Sequence, residues 1–173
     1  MCSYHTHFLL GILISIVVSS CCMDYFERVS IVLTNKSDID IWVSHNSPNL
    51  IGPPSFYEDR VYYNKTEYFF VKRHASSFIF DTSTKNGWEW IKKKVYPEGL
   101  HFQVWDNELI QQLGWEAFLG NSEIQNQYKL EFEIDLSFFI NNGKEEYTIT
   151  YPLNNSAGYL RIIYPKEGSG DSH

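Results

Sequence analysis

Cysteine is missing from the chain beyond Cys22. The three cysteines present, Cys2, Cys21 and Cys22, fall near the start of a 173-residue sequence. Cys21 and Cys22 are adjacent, and a trans peptide holds their Cα atoms ~3.8 Å apart, below the usual disulfide range. A fold stapled by disulfides is therefore excluded, and the domain must rest on its own core. Basic residues are also scarce, with 14 Lys and Arg against 21 Asp and Glu and a net charge of -7. That balance supplies no basic face for a phosphate backbone, so nucleic acid is excluded as a partner. It offers anionic lipid headgroups no attraction either. Apolar runs of the roughly 20 residues needed to cross a bilayer are absent too.

What is present is a shorter run. Residues 8–21 read FLLGILISIVVSSC, apolar through Val18 apart from Gly11 and Ser15. The length suits the hydrophobic region of a secretory signal, and Ser19 and Ser20 are the small residues expected before a cleavage site. The preceding MCSYHTH carries no Lys or Arg, a departure from the usual charged start. Val18-Ser19-Ser20-Cys21 resembles the lipobox of bacterial lipoproteins: an aliphatic residue, two small ones, then cysteine. The resemblance implies a signal peptide at residues 1–20 and a lipidated N-terminus at Cys21, followed by a tether to residue 27. Cys22 fits the pattern worse, because Ser19 then occupies the aliphatic position. The plainer reading is an ordinary cleaved signal with a cysteine nearby. Two or more acyl chains anchor a protein stably, at about 0.8 kcal/mol per buried CH₂.

Removing residues 1–20 leaves 153 residues, enough for one domain with a substantial core. Its aromatic content is 17%, which suits half-buried strands and also a surface that stacks sugars. Period-two alternation predicts strands at residues 28–34, 38–44, 60–63, 66–72, 77–81, 100–105, 128–136, 146–151 and 159–164. The first two, joined by Asn35-Lys36-Ser37, read as an antiparallel hairpin, with Trp42 among the residues of the polar face. In residues 128–136, YKLEFEIDL, the apolar and charged residues separate cleanly onto two faces, as in a sheet with one wet face. Helical spacing appears over residues 82–95, with Thr82 or Ser83 as cap, and over 107–118, interrupted by Gly114. A third short helix is expected from Ser137, acting as its cap. Residues 121–127 read as polar loop, and residues 166–173 as a disordered tail. The predicted fold is mainly β: an antiparallel, sandwich-like domain over residues 28–165 with two or three short peripheral helices. An α+β two-layer arrangement is the alternative.

The segments FIFDTST…GWEWIKKK, DLSFFINN, YTITYP and RIIYP resemble the small lipoproteins of Bacteroides-type Gram-negative bacteria. That resemblance implies a lipid-anchored location in the cell envelope, at the outer membrane, and brings no catalytic residue with it. The chain departs from the family by extra residues around 96–127. Within the chain, residues 78–91 and 102–118 echo one another, both running from an aromatic-Asp pair to Gly-Trp-Glu.

Chemistry is harder to place. His45, His74, His101 and His173 stand in no nucleophile or zinc motif. Asp38 and Asp40 lie two apart without a calcium-loop pattern and read as wet-face carboxylates. Glycoside hydrolysis requires two carboxylates across a cleft, and Glu89, Asp106, Glu116 and the set from Glu131 to Asp135 offer no means of choosing. Trp88, Trp90, Trp105 and Trp115 are candidates for stacking if exposed and core residues otherwise. The run Lys92–Lys94 reads as a solvated helix end. Three N-x-[ST] sequons, at Asn35, Asn64 and Asn154, matter only in a eukaryotic setting. No catalytic residue, metal or cofactor is expected. The predicted role is a lipid-anchored envelope protein of the structural or interaction class, with a glycan or an envelope protein as partner. A hydrolase of envelope polysaccharide, secreted or anchored, is the alternative. An enzyme should show convergent carboxylates in a cleft with a strongly perturbed pKa; a binding module should show an aromatic patch or groove.

Overall fold

The protein is described by a computed structural model over residues 26–47, 55–97, 99–153 and 158–164. Cys21, the apolar run at residues 8–18 and the tail at 166–173 lie outside these residues. The chain is mainly β and sandwich-like. Its strands are β1 (Glu27–Asn35), β2 (Ile41–Asn46), β3 (Ser55–Phe56), β4 (Arg60–Tyr63), β5 (Thr66–Val71), β6 (Ser76–Thr84), β7 (Leu100–Asp106), β8 (Leu130–Ile134), β9 (Glu146–Tyr151) and β10 (Leu160–Tyr164). One sheet has the order β6-β1-β9 and the other β10-β8-β7-β2-β5-β4-β3. Every pairing is antiparallel except that of β1 with β9. Five short helices complete the described chain: α1 (Gly87–Trp90), continued by a π-turn at Ile91–Val95, then α2 (Asn107–Leu113), α3 (Trp115–Gly120), α4 (Ser122–Gln125) and α5 (Leu136–Asn142). The helical regions are more finely divided than the sequence predicted, because Gly114, at φ 77°, breaks the second one and α4 forms within the expected loop.

The two sheets face each other across the main core. Val29, Ile31 and Leu33 of β1 meet Ile41 and Val43 of β2, Phe69 and Val71 of β5, and Phe102 and Phe132 of β7 and β8. The far side of the seven-stranded sheet is also covered, by α2, α3 and α4. Trp42, Tyr68 and Trp105 on that side pack against Ile110, Phe118 and Leu119. The indoles keep their hydrogen bonds there: Trp42 Nε1 donates to Asn107 Oδ1 at 2.9 Å and Trp105 Nε1 to the Gln125 carbonyl at 3.2 Å. Trp42 is thus buried, contrary to the polar-face expectation, because a helical layer replaces water on that face. Much of this layer comes from residues 96–127.

The predicted β1–β2 hairpin does not form. The two strands belong to different sheets, and the link between them is a corner. Asn35, fully buried, makes that corner. Its Oδ1 accepts from the Ser37 amide at 3.0 Å and the Ser37 hydroxyl at 2.7 Å, a local turn of the kind short amides favour. Its Nδ2 donates to the Ile39 carbonyl at 2.8 Å and the Val71 carbonyl at 3.2 Å, and its backbone amide to the Ala75 carbonyl at 2.8 Å. The second crossing between sheets, from β5 to β6, runs past the same side chain.

Three further expectations change. Thr82 and Ser83 extend β6, and α1 starts instead from Asn86, whose φ is 67°, with no side-chain cap. Asp135, not Ser137, caps α5 by accepting from the Ser137 amide at 2.8 Å. Residues 78–91 and 102–118 do not share local structure: the polar linker of the first continues a strand, and that of the second is α2.

The corner geometry predicts that Asn35→Ala lowers stability by about 2–4 kcal/mol in urea unfolding, since it strands the buried Val71 carbonyl and the partly buried Ile39 carbonyl. Ser37→Ala should cost under about 1 kcal/mol. Equal midpoints for Asn35→Ala and the parent would contradict this account of the corner.

Candidate functional site

The ladder registers fix where the sheets part. Asn35, Val71 and Ser76 lie at one end. The start of β1, the end of β2, the start of β5 and the end of β6 lie at the other. A cavity of about 430 Å³ opens at that other end, lined from both sheets by His45, Glu67, Phe80 and Thr84 and from the α1 region by Trp90 and Tyr96. Phe26 stands at its mouth, 57% exposed, with Trp90 at 39%. Among the four tryptophans raised by the sequence, Trp88 and Trp105 are buried, Trp115 is partly buried in the second core, and Trp90 reaches this cavity.

His45 and Glu67 occupy directly opposed positions on β2 and β5, on the inner face. They continue the phase of Ile41 and Val43 on one strand and of Phe69 and Val71 on the other. A polar pair in that phase replaces the core at the open end. His45 is 3% exposed and ringed by Phe69, Phe80, Tyr96 and Phe102 at centroid distances of 5.4–6.3 Å. Phe80 reaches the ring because β6 carries a bulge opposite Ile31 and Val32, which turns both Ile79 and Phe80 inward.

The hydrogen bonds assign the imidazole. Its Nδ1 lies 3.0 Å from the Asn46 carbonyl, which can only accept, so Nδ1 carries the proton. Tyr96 donates its hydroxyl to the same carbonyl at 2.5 Å and lies 3.4 Å from Nδ1. Burial drives the His45 pKa down to about 4, with Arg60 adding to the effect and the bond to Asn46 opposing it. The ring is neutral at neutral pH, and its Nε2, 3.6 Å from Glu67 Oε2, forms no ion pair there. Arg60 serves Glu67 instead, with Nη1 3.6 Å from Oε1. Burial raises the Glu67 pKa, while a hydrogen bond from Tyr62 and the charge of Arg60 hold it back. Burial likewise pushes the Tyr96 hydroxyl up to about 12.

The carboxylates proposed from sequence are occupied elsewhere. Asp106 caps α2 and pairs with Lys129 at 2.7 Å. Glu131 accepts from Tyr128 and Gln103. Glu133 and Asp135 line a separate cavity, where Arg161 binds Glu133 and Lys92 lies 4.0 Å from Asp135. Glu89 lines a third cavity beside Trp88 and Lys144. Asp40 accepts from the Arg73 amide at 2.8 Å, and the Asp38 side chain is almost wholly exposed. Among the described residues no cluster of His, Cys, Asp or Glu could hold a metal. No described helix is long and apolar enough to cross a membrane. Of the described histidines, His45, His74 and His101, only His45 lines this cavity, and Glu67 is not singled out by the sequence at all. The signal for both was strand phase: each is the next inward position after two apolar ones.

A histidine with a depressed pKa is neutral when folded and protonated when unfolded between the two values, so its burial opposes folding as pH falls through that window. Stability should fall from pH 6.5 toward 5 as His45 contributes up to about 3 kcal/mol in all by pH 4. Glu67, with its raised pKa, acts in the opposite sense just above its ordinary value of 4.5. Guanidinium unfolding of the parent and His45→Gln across this range tests the assignment. The variant should lose the slope between pH 6.5 and 5; an identical slope in both would refute a neutral buried His45.

Compared with protein-family models, curated proteins and solved structures, the chain matches none.

Proposed function

We propose that this is a lipid-anchored protein of a Gram-negative cell envelope, held to the outer membrane through Cys21, and that it belongs to the interaction class. On this reading the cavity beside His45 receives a ligand, either a glycan or part of an envelope protein. The observation that supports it most is the construction of the cavity: exposed aromatics at the mouth, Phe26 and Trp90, over buried polar groups, His45 and Glu67. Small-molecule sites are commonly mostly apolar with a few placed polar groups. Phe26 follows Cys21 by five residues, so extended chain could hold the mouth no farther than ~18 Å from a lipidated sulfur. A ligand displayed at the membrane surface would be within reach.

The hydrolase reading draws less support. Of the two carboxylates that line this cavity, Asp81 is held by Arg28 through two bonds, Nε to Oδ1 at 2.9 Å and Nη2 to Oδ2 at 2.8 Å. Glu67 is engaged by Arg60 and Tyr62. A glycosidase pair needs one carboxylate as acid and a second as base or nucleophile, both directed at the substrate. Asp81 is committed to the outer face of its sheet.

Mass spectrometry of the mature N-terminus, together with fractionation of Cys21→Ser, tests the anchor. The expected result is an N-terminal Cys21 carrying acyl chains and release of the variant from the membrane fraction. An unmodified N-terminus at Met23, an intact leader, or unchanged membrane retention of Cys21→Ser would overturn it.

A further inference from the structure

We propose that the cavity binds a neutral sugar ring, two adjacent hydroxyls of which donate to His45 Nε2 and Glu67 Oε2 while Trp90 stacks on the ring. This deepens the binding reading above and rests on it. The Asn46 carbonyl, 3.0 Å from His45 Nδ1, fixes the proton on that nitrogen. In the neutral ring Nε2 is then a bare acceptor. It faces a second acceptor, the Glu67 carboxylate, at 3.6 Å, and both residues line the cavity. Two acceptors turned toward each other at the cavity wall repel unless donors are brought between them.

The charges nearby select among donors. An ammonium ligand could donate to both acceptors, but Arg60 already lies 3.6 Å from the other Glu67 oxygen, and Lys85 lines the cavity. An added cation meets two existing ones. An anion meets the charge of the Glu67 carboxylate, whatever hydroxyls it carries. A neutral group with two adjacent hydroxyls satisfies both acceptors without a charge conflict. The rest of the wall fits a sugar as well. Trp90 and Phe26 present aromatic surface at the mouth, and Ser47 and Thr82 supply hydroxyls that can donate or accept. A volume of about 430 Å³ lies within the range of small-molecule sites.

The test uses the mature lipidated protein, labelled with ¹⁵N and purified in a detergent that carries no sugar. Methyl glycosides of glucose, galactose and mannose are titrated to tens of millimolar, with protonated ethanolamine as a cationic comparison. Saturable binding of at least one glycoside is expected, moving the His45 Nε2 resonance upfield, as an unprotonated imidazole nitrogen does when it accepts a hydrogen bond. Glu67→Gln should weaken that binding about tenfold, the loss of one acceptor, and Trp90→Ala, at an exposed position, should weaken it comparably. Glycosides that leave Nε2 unmoved, ethanolamine binding in their place, or binding indifferent to both substitutions would overturn the proposal. The anchor is judged separately by the fate of Cys21→Ser. Glycoside binding by an unlipidated protein would remove the location and keep the site; a lipidated protein with a silent cavity would do the reverse.

Discussion

A single buried amide holds the sheets together at one end. Asn35 bonds the turn that follows it, the end of β5 and the approach to β6, and so touches the first two crossings between the sheets, β1 to β2 and β5 to β6. Backbone carbonyls at such a corner have no ladder partner, and leaving them buried and unpaired would cost more than a typical hydrogen bond contributes. A side chain with both donors and an acceptor resolves this in a way that an apolar residue could not. At the opposite end the chain passes from β6 to β7 through the α1 region, and there the core phase of β2 and β5 ends on His45 and Glu67. Full burial also takes Asn35 out of reach of any glycosylation that its sequon would suggest.

At the open end the same alternation that builds the core positions the polar pair. A histidine among four aromatic rings loses its charge because burial penalises the imidazolium more than Glu67, already engaged by Arg60, can offset. The result is a neutral ring of defined tautomer beside a carboxylate, with an aromatic mouth above. Rigid strands carry His45 and Glu67, and the π-turn after α1 brings Tyr96 to the Asn46 carbonyl. The arrangement is therefore preorganised, which lowers the ordering cost of binding.

The sheet architecture was legible wherever alternation was clean. Residues 128–136 and 146–151 fold close to the expected strands, and Gly114 breaks its helix as its position suggested. Alternation could not say what lies on the second face of a strand. Trp42 looked wet by phase, yet α2 and α3 cover it, a tertiary fact invisible in a six-residue strand. Partner choice was equally hidden: two alternating runs joined by a polar turn fit a hairpin or a corner, and the burial of Asn35 decides between them. Asp135 outranks Ser137 as a cap because it is the single residue between the end of β8 at Ile134 and the start of α5 at Leu136. The site itself was half legible. His45 lies in phase with Ile41 and Val43, but the strand was ended at Ser44, one residue short. Glu67 opens β5 in phase with Phe69 and Val71, and nothing local marks it as a partner for a residue 22 positions earlier. The bulge that delivers Phe80 has no signature in residues 76–84.

The most direct test of this account is the protonation state of His45 in the unliganded protein, read from its imidazole ¹⁵N shifts. The structure predicts a neutral ring with the proton on Nδ1, unchanged from about pH 8 to about pH 5.5, since its pKa lies near 4. A ring that titrates near the ordinary value of 6.5, or one protonated on Nε2, would contradict it.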